Sequence, residues 1–358
     1  MEEMNPLYSL IIPLLLLYTT DNKEEPTYIR GVYGSPAPFW NQGLDLKELG
    51  VTAIFIHSTS LSQEIMNRAK KEGVKVFAEF PTLNGKGYVE THPEAWPINE
   101  KGERVGPASW FMGVCPTDHG FKRHRSEQLK ELLRKYDVDG VWIDYVHWHA
   151  QFEEPKPILP ETCFCERCLA EFQTATLIQI PDGTTTDKST RIFQNHDREW
   201  RNWRCSVIAG WARDLKAILH QEKSGALFGM FHCPWDDEEF NGARRHILGI
   251  DYEMLKGTVD VFSPMVYHKR MGRSPEWVKE NLDWFCRRMN VRSGGAPRVW
   301  PIVQAYDDPA RISPEEFGTI LSYGLSAGAT GVMMFTSQSV AEDPGKTEAM
   351  KRFYTGMK

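Results

Sequence analysis

The sequence predicts an α/β protein built as a parallel (β/α)8 barrel, and three observations carry that expectation. Eight short apolar runs of strand length recur along the chain, and most are followed by a segment with helical periodicity. No G-x-G-x-x-G follows the first run, which counts against an open doubly wound sheet. The length beyond the about 250 residues of such a barrel falls after the third and fourth strands, where insertions shape the catalytic face.

The first strand is Ile29–Tyr33, closed by Gly34-Ser-Pro-Ala-Pro. Residues 51–57 form the second, and Ser62 then offers an N-cap for a helix ending at Gly73. Residues 74–80 are the third. A helix with Leu129, Leu132, Leu133 and Tyr136 on one face feeds the fourth, residues 138–145. Leu227–His232 and residues 259–265 are the fifth and sixth. Ser274-Pro-Glu caps the next helix, whose inner face carries Val278, Leu282 and Phe285. Residues 299–304 make the seventh strand. Ser313-Pro-Glu-Glu316 is a capping box with proline at the first helical position. Gly331–Phe335 is the eighth, and a terminal helix from Lys346 closes the ring.

The surplus lies in residues 81–116 and 146–197, so residues 28–358 are expected to form one barrel domain with two long insertions. Residues 1–27 stand apart. Their apolar run, residues 7–18, is too short to span a bilayer and is interrupted by Pro13. Its length fits a signal-peptide core, followed by a polar linker. Met1-Glu-Glu-Met-Asn lacks the usual basic residues, and no small-x-small cleavage site follows. Export to the periplasm or the outside is favoured over the cytoplasm.

Hydrophobic content of 41% and charged content of 25% are those of an ordinary globular protein. A net charge of −6 gives no electrostatic case for nucleic acid as a partner. Twelve Trp and twelve Tyr are more telling, because several lie just beyond strand ends, where sugar faces stack on such rings. The same rings also fill large barrels that never meet a sugar.

In this fold the strand C-termini converge on one mouth. The polar residues there are His57, Glu79, Asp144, His232, Tyr267, His268 and Gln304, with His147, Trp148, His149, Trp235, Asp236, Asp237, Tyr306 and Asp307 just beyond. Alternation puts Trp142 and Asp144 on one side of the fourth strand and Val141 and Ile143 on the other. With the aliphatic pair facing the helices, Asp144 points into the mouth. Glycoside hydrolysis needs two carboxylates flanking the scissile bond. Asp144 is the expected nucleophile or base, against the alternative of a loop-capping or salt-bridging Asp. The acid candidates are Asp237, Glu79 and Asp236, in that order. Asp236-Asp-Glu-Glu239 also reads as a solvated acidic run, and Glu79 as a charge buried against an Arg. The apolar setting Phe77-Ala-Glu-Phe would raise the Glu79 pKa and suit a general acid. His57, His147, Trp148, His232, Trp235, Asp236, Tyr267, His268 and Gln304 are the expected substrate-binding set; Trp148, Trp235 and Tyr267 also suit a core, with their strand-end positions favouring a sugar platform.

Seven cysteines exclude a complete set of intramolecular disulfides. Cys163, Cys165 and Cys168 form C-x-C-x-x-C, and Cys115 stands upstream. Four thiolates satisfy tetrahedral zinc with no open position, which marks a structural metal tying the two insertions together. The alternatives are metal-free thiols or a redox C-x-x-C, the latter without a thioredoxin-like context. Cys205, Cys233 and Cys286 remain as isolated thiols, and nothing points to an organic cofactor.

Cys115 with Cys163-Phe-Cys165-Glu-Arg-Cys168-Leu-Ala-Glu-Phe resembles the structural zinc cluster of glycoside hydrolase family 42 β-galactosidases, themselves (β/α)8 barrels. The resemblance implies zinc for these four cysteines. It stops short of the catalytic pair: that family has Asn-Glu at the end of strand four and Glu on strand seven, where this chain has Ile143-Asp144-Tyr145 and Gln304. The chain is more similar to an uncharacterised family of glycoside-hydrolase-like barrels with an Asp-Gly-x-x-x-Asp fourth strand and a cysteine-rich loop. Ser263-Pro-Met-Val-Tyr267-His268, Trp200-Arg-Asn-Trp203-Arg204 and His92-Pro-Glu fit that group. Asp144 also resembles, by position alone, the strand-four nucleophile of α-amylase and α-galactosidase barrels. The chitinase pattern fails, because its catalytic Glu would fall at Val146.

The expected function is a glycosidase using a carboxylate pair that includes Asp144. One alternative is a barrel that binds glycan without cleaving it. The other is a metal-dependent hydrolase of amidohydrolase type, suggested by His57, His147, His149 and His232, although strand one lacks a His-x-His.

Overall fold

A computed structural model describes Met1, residues 28–291 and residues 295–357. The apolar run at residues 7–18, with its export expectation, lies outside the described residues. The described residues form nine strand segments: β1 (Ile29–Tyr33), β2 (Ala53–His57), β3 (Lys75–Pro81), β4 (Gly140–Asp144), β5 (Leu227–His232), β6 (Val261–Val266), β7 (Arg298–Val299), β8 (Ile302–Gln304) and β9 (Gly331–Phe335). Every pairing among these strands is parallel, and β1 bonds to both β2 and β9, which closes the sheet into a barrel.

The barrel has eight staves, because β7 and β8 both pair with β6 and together form the seventh. The expected continuous strand is broken at Trp300-Pro301. Proline offers no N–H to a ladder. Its carbonyl still accepts from Met333 N at 2.9 Å, and Trp300 N donates to Phe262 O at 3.0 Å, so the stave bends without leaving the sheet.

The helices follow the local signals closely. Ser62 caps Gln63–Glu72, and Gly73 ends that helix with φ 72°, a left-handed position suited to glycine. Ser313 Oγ accepts from Glu316 N at 3.2 Å at the start of Pro314–Gly324. Glu316 does not close the expected box, because its carboxylate bonds His268 at 2.8 Å and Lys269 at 3.0 Å. The helix expected to be capped by Ser274 begins at Glu276, with Pro275 at the cap position and no side-chain cap bond. The terminal helix Pro344–Gly356 is capped by Asp343.

Aromatic rings fill the barrel interior. Phe77 lies 4.9 Å from Phe55 and 4.6 Å from Trp142, and Trp142 stacks on Trp300 at 5.4 Å. Gly229 makes this layer possible: a Cβ there would sit 2.1 Å from the Trp142 ring. Trp142 also donates Nε1–H to Ser263 Oγ at 3.0 Å, which fixes its plane. The barrel therefore has a solid floor, and the next inward layer carries Tyr33, Asp144, Phe231, Met265, Ile302 and Phe335.

Both long connections stand on that face. Residues 81–116 contain the helix Lys86–Thr91, and residues 146–197 contain Glu166–Thr176 and Thr185–Asn195. They are joined to each other by the Asn99–Thr162 bridge and by Phe164 N donating to Ile98 O at 2.9 Å.

Candidate active site

A cavity of about 320 Å³ opens above the aromatic floor at the C-terminal ends of the strands. Asp144, the last residue of β4, lies at its base and is 8% exposed. Its Oδ1 accepts from Tyr145 N at 2.7 Å. Tyr145 itself has φ 53°, a left-handed conformation costing a non-glycine residue about 1–3 kcal/mol. That turn carries the Tyr145 ring into the cavity, stacked on Phe111 at 5.6 Å with Trp110 edge-on beside it. Tyr33, Phe231, Tyr267, Tyr306 and Phe335 complete an aromatic wall, and Glu153 and Arg270 supply the remaining charge.

Three carboxyls are concentrated here, and burial acts on all of them. Glu79 is wholly buried on β3, and Tyr33 donates its hydroxyl to Oε2 at 3.1 Å. Burial pushes Glu79 up to about 7, against the opposing pull of the Tyr33 bond and the Arg125 charge. Burial raises Asp144 well above the usual carboxylate range, and the neighbouring Glu79 charge adds to the rise. Glu153 is pushed up to about 8, first by burial and then by Asp144, with Arg270 Nε at 3.7 Å giving partial relief.

Of the residues expected from sequence, Asp144 and Tyr267 line the cavity. Glu79 sits behind Tyr33 rather than on the surface of the cavity. Gln304 braces the wall: its Oε1 accepts from Arg270 N at 3.0 Å, and its Nε2 donates to Tyr306 O and Asp308 O. His57 lies at the rim, bonded to Thr59 at 2.7 Å and 3.9 Å from Glu79.

The others are held elsewhere. Asp237, first choice for the acid, is paired with Arg244 and with Arg288 at 3.0 Å, and does not line the cavity. Asp236 accepts from the backbone N–H of Glu238 and Glu239, both at 2.8 Å, as a turn-forming residue. Trp148 and Trp235 are core rings; Trp148 donates to Arg204 O at 3.2 Å under the long helix Asp197–Glu222. Alternation explains His232: Phe231 points inward, so His232 points out against Tyr252 and Phe285. His268 is tied to Glu316, and His147 to Trp148 O at 2.8 Å. His149 bonds Gly106 O and Gly113 N, both at 3.0 Å. The histidines invoked for an amidohydrolase are thus dispersed. Asp307 bonds Lys346 at 2.6 Å.

Glu153, Arg270, Tyr33 and Trp110 were not singled out by the sequence pattern. Glu153 stands in an irregular insertion, where no periodicity gives a side chain its direction. The one local cue is the acidic pair Glu153-Glu154 set between Phe152 and Pro155.

The four insertion cysteines converge. Cys115 Sγ lies 3.4 Å from Cys168 Sγ and 3.8 Å from Cys165 Sγ, and all four sulfurs fall within 4.8 Å of one another. Tetrahedral Zn–S bonds would set sulfurs roughly 3.8 Å apart, so the group is compatible with one metal ion. Ile98 N donates to Cys163 Sγ at 3.3 Å, and Thr117 Oγ1 lies 3.3 Å from Cys115 and 3.2 Å from Cys168. Among the described residues, no other group of three or more His, Cys, Asp or Glu side chains gathers at metal-binding range.

No protein-family model matches the chain, and no curated protein matches it. Solved structures do. The glycoside hydrolase domain of PgaB (BpsB) from Bordetella bronchiseptica is similar with TM-score 0.69 and 14% identity, over 92% of this chain and 100% of that one. The catalytic domain of β-amylase from Paenibacillus polymyxa follows with TM-score 0.62 and 12% identity, over 92% and 98%. The β-galactosidase from the psychrophilic Marinomonas ef1 has TM-score 0.65 and 13% identity, over 91% of this chain and 58% of its own. The chain therefore has the (β/α)8 fold that these glycoside hydrolases share.

Proposed function

We propose that the protein is a glycoside hydrolase whose carboxylate pair is Asp144 and Glu153. The observation that carries this reading is the meeting of these two acids in one aromatic-walled cavity at the C-terminal mouth of the barrel. The likeness to glycoside hydrolase barrels supports it at the level of fold.

Two carboxyls in a dry site resist ionising together, so the pair holds one proton and one charge over a shared range. That distribution supplies an acid and a base at once. Glu153, pushed up to about 8 beside Arg270, is suited to protonate the leaving oxygen. Asp144, on rigid strand β4, is suited to act on the sugar carbon or on a water. Glu79 acts from behind, through its charge on Asp144 and its bond to Tyr33. The rings stack the sugar and exclude water.

The four cysteines would hold a zinc ion with no open position, serving as a cross-link between the two insertions. Asp144→Asn tests the central role. Turnover of a susceptible oligosaccharide, followed by released reducing ends, should vanish while the circular dichroism spectrum is unchanged. Wild-type activity in that variant would falsify the assignment.

A second reading has a specific basis. Glu79, Asp144 and Glu153 are all raised, and at a pH where all three hold protons the site binds without cleaving. Tight binding of an oligosaccharide with no released ends would select it.

A further inference from the structure

The cavity has a one-sided inventory of polar atoms. Apart from tyrosine hydroxyls and the Trp110 indole N–H, its polar side chains are Asp144, Glu153 and Arg270. Among the described residues, the Asp144 carboxyl receives one hydrogen bond, from Tyr145 N, and no Lys, Arg or His nitrogen approaches it within ion-pairing range. The Tyr33 hydroxyl is committed to Glu79.

Arg270 does not balance the acids. Its guanidinium is divided among Asp308 at 3.0 Å, Glu154 at 3.4 Å and Glu153 at 3.7 Å. One cation thus serves three carboxylates, and Asp144 is left without any. Amides, the usual paired donor–acceptor groups for neutral sugar hydroxyls, do not line the cavity.

A ligand suited to these walls donates hydrogen bonds, carries positive charge and presents a face to aromatic rings. An ammonium group has three donors and no acceptor, and it is attracted to the faces of Trp and Tyr. Resting on the reading of this cavity as a glycan site, we propose that it selects sugars bearing a free primary amine, with the ammonium as the counter-charge that Asp144 lacks. The class follows from charge and donor count, independently of which linkage is cleaved.

Binding should then be coupled to protonation. In the free protein, the groups around Asp144 are Glu79 from β3, Tyr33 from β1, Tyr145 and Glu153 from its own loop, and Tyr267 and Arg270 after β6. Burial pushes the carboxyls among them up, and little positive charge offsets it at Asp144. An arriving ammonium supplies that charge, and a proton leaves Asp144 for solvent while Glu153 keeps its own.

Three β-1,4-linked tetrasaccharides separate the possibilities: one of glucosamine, one of N-acetylglucosamine and one of glucose. Each is titrated calorimetrically into the full chain at pH 7, in two buffers of different ionisation heat, with reducing ends measured in parallel. The glucosamine tetramer should bind at least about tenfold more tightly than the other two, and with net proton release. The Asp144→Asn/Glu153→Gln double variant should lose both the preference and the release. Equal affinities for all three overturn the amine selection and leave the glycan site standing. No binding by any of them overturns both. Amine preference without released ends supports the selection and sinks the hydrolase reading.

Discussion

Tyr33 on β1 donates its hydroxyl to Glu79 Oε2 on β3 across 3.1 Å, joining a ring on the cavity wall to a charge that never reaches the cavity. The two strands are separated by β2, so the bond passes over that strand rather than following a ladder. Glu79 thereby meets the cavity wall only through Tyr33.

Glu79→Gln keeps the shape and removes the charge that raises Asp144. The limb of the kcat/KM profile governed by Asp144 should move to lower pH, with a loss at the optimum of about tenfold or less. An unmoved limb would show that Glu79 only packs.

Glu153 and Glu79 are pushed up to about 8 and about 7. Between the unfolded carboxylate range near pH 4.5 and those values, the folded protein holds protons that the unfolded chain has lost. Stability therefore falls as pH rises through that window. Glu153→Gln, which does not titrate, should gain melting temperature relative to wild type between pH 5 and pH 8, on the order of 3 °C. A constant difference across that range counts against a raised Glu153.

Elemental analysis should find one zinc per chain, released by a thiol-directed reagent. Cys165→Ser should lower the melting temperature by on the order of 10 °C. It should also expose residues 81–116 and 146–197 to limited proteolysis. A metal-free wild-type chain with the same protease resistance contradicts the zinc assignment.

Gly229→Ala would drive a methyl into the Trp142 ring, 2.1 Å away across β4 and β5. Overpacking of this kind costs about 1–3 kcal/mol. Urea unfolding measures it, and a neutral result would mean that the aromatic floor yields easily.

The barrel was legible in the sequence because its staves are short apolar runs punctuated by Gly, Pro and capping residues. Asp144 was legible for the same reason, since strand alternation gives a side chain a direction. The same alternation runs along β5, where Phe231 takes the inward position and His232 the outward one. Asp237 misled because its partners Arg244 and Arg288 lie at sequence distances that carry no pattern. Glu153 escaped because insertion loops are positioned by contacts such as the cysteine group, and contacts of that range are not written in periodicity. Trp148 and Trp235 show that a ring beyond a strand end is as readily core as platform.

The two insertions are fastened to each other near Cys115 and Cys163, while Trp110 and Glu153 project from them into the cavity. The two arms are therefore one cross-linked unit, anchored to the barrel through Trp148 and through the Glu161–Arg201 ion pair. A substitution in one arm must be answered in the other. Homologous chains should keep all four cysteines or none of them, and a chain that has lost them should have rebuilt both arms together, with a differently shaped opening over an unchanged floor.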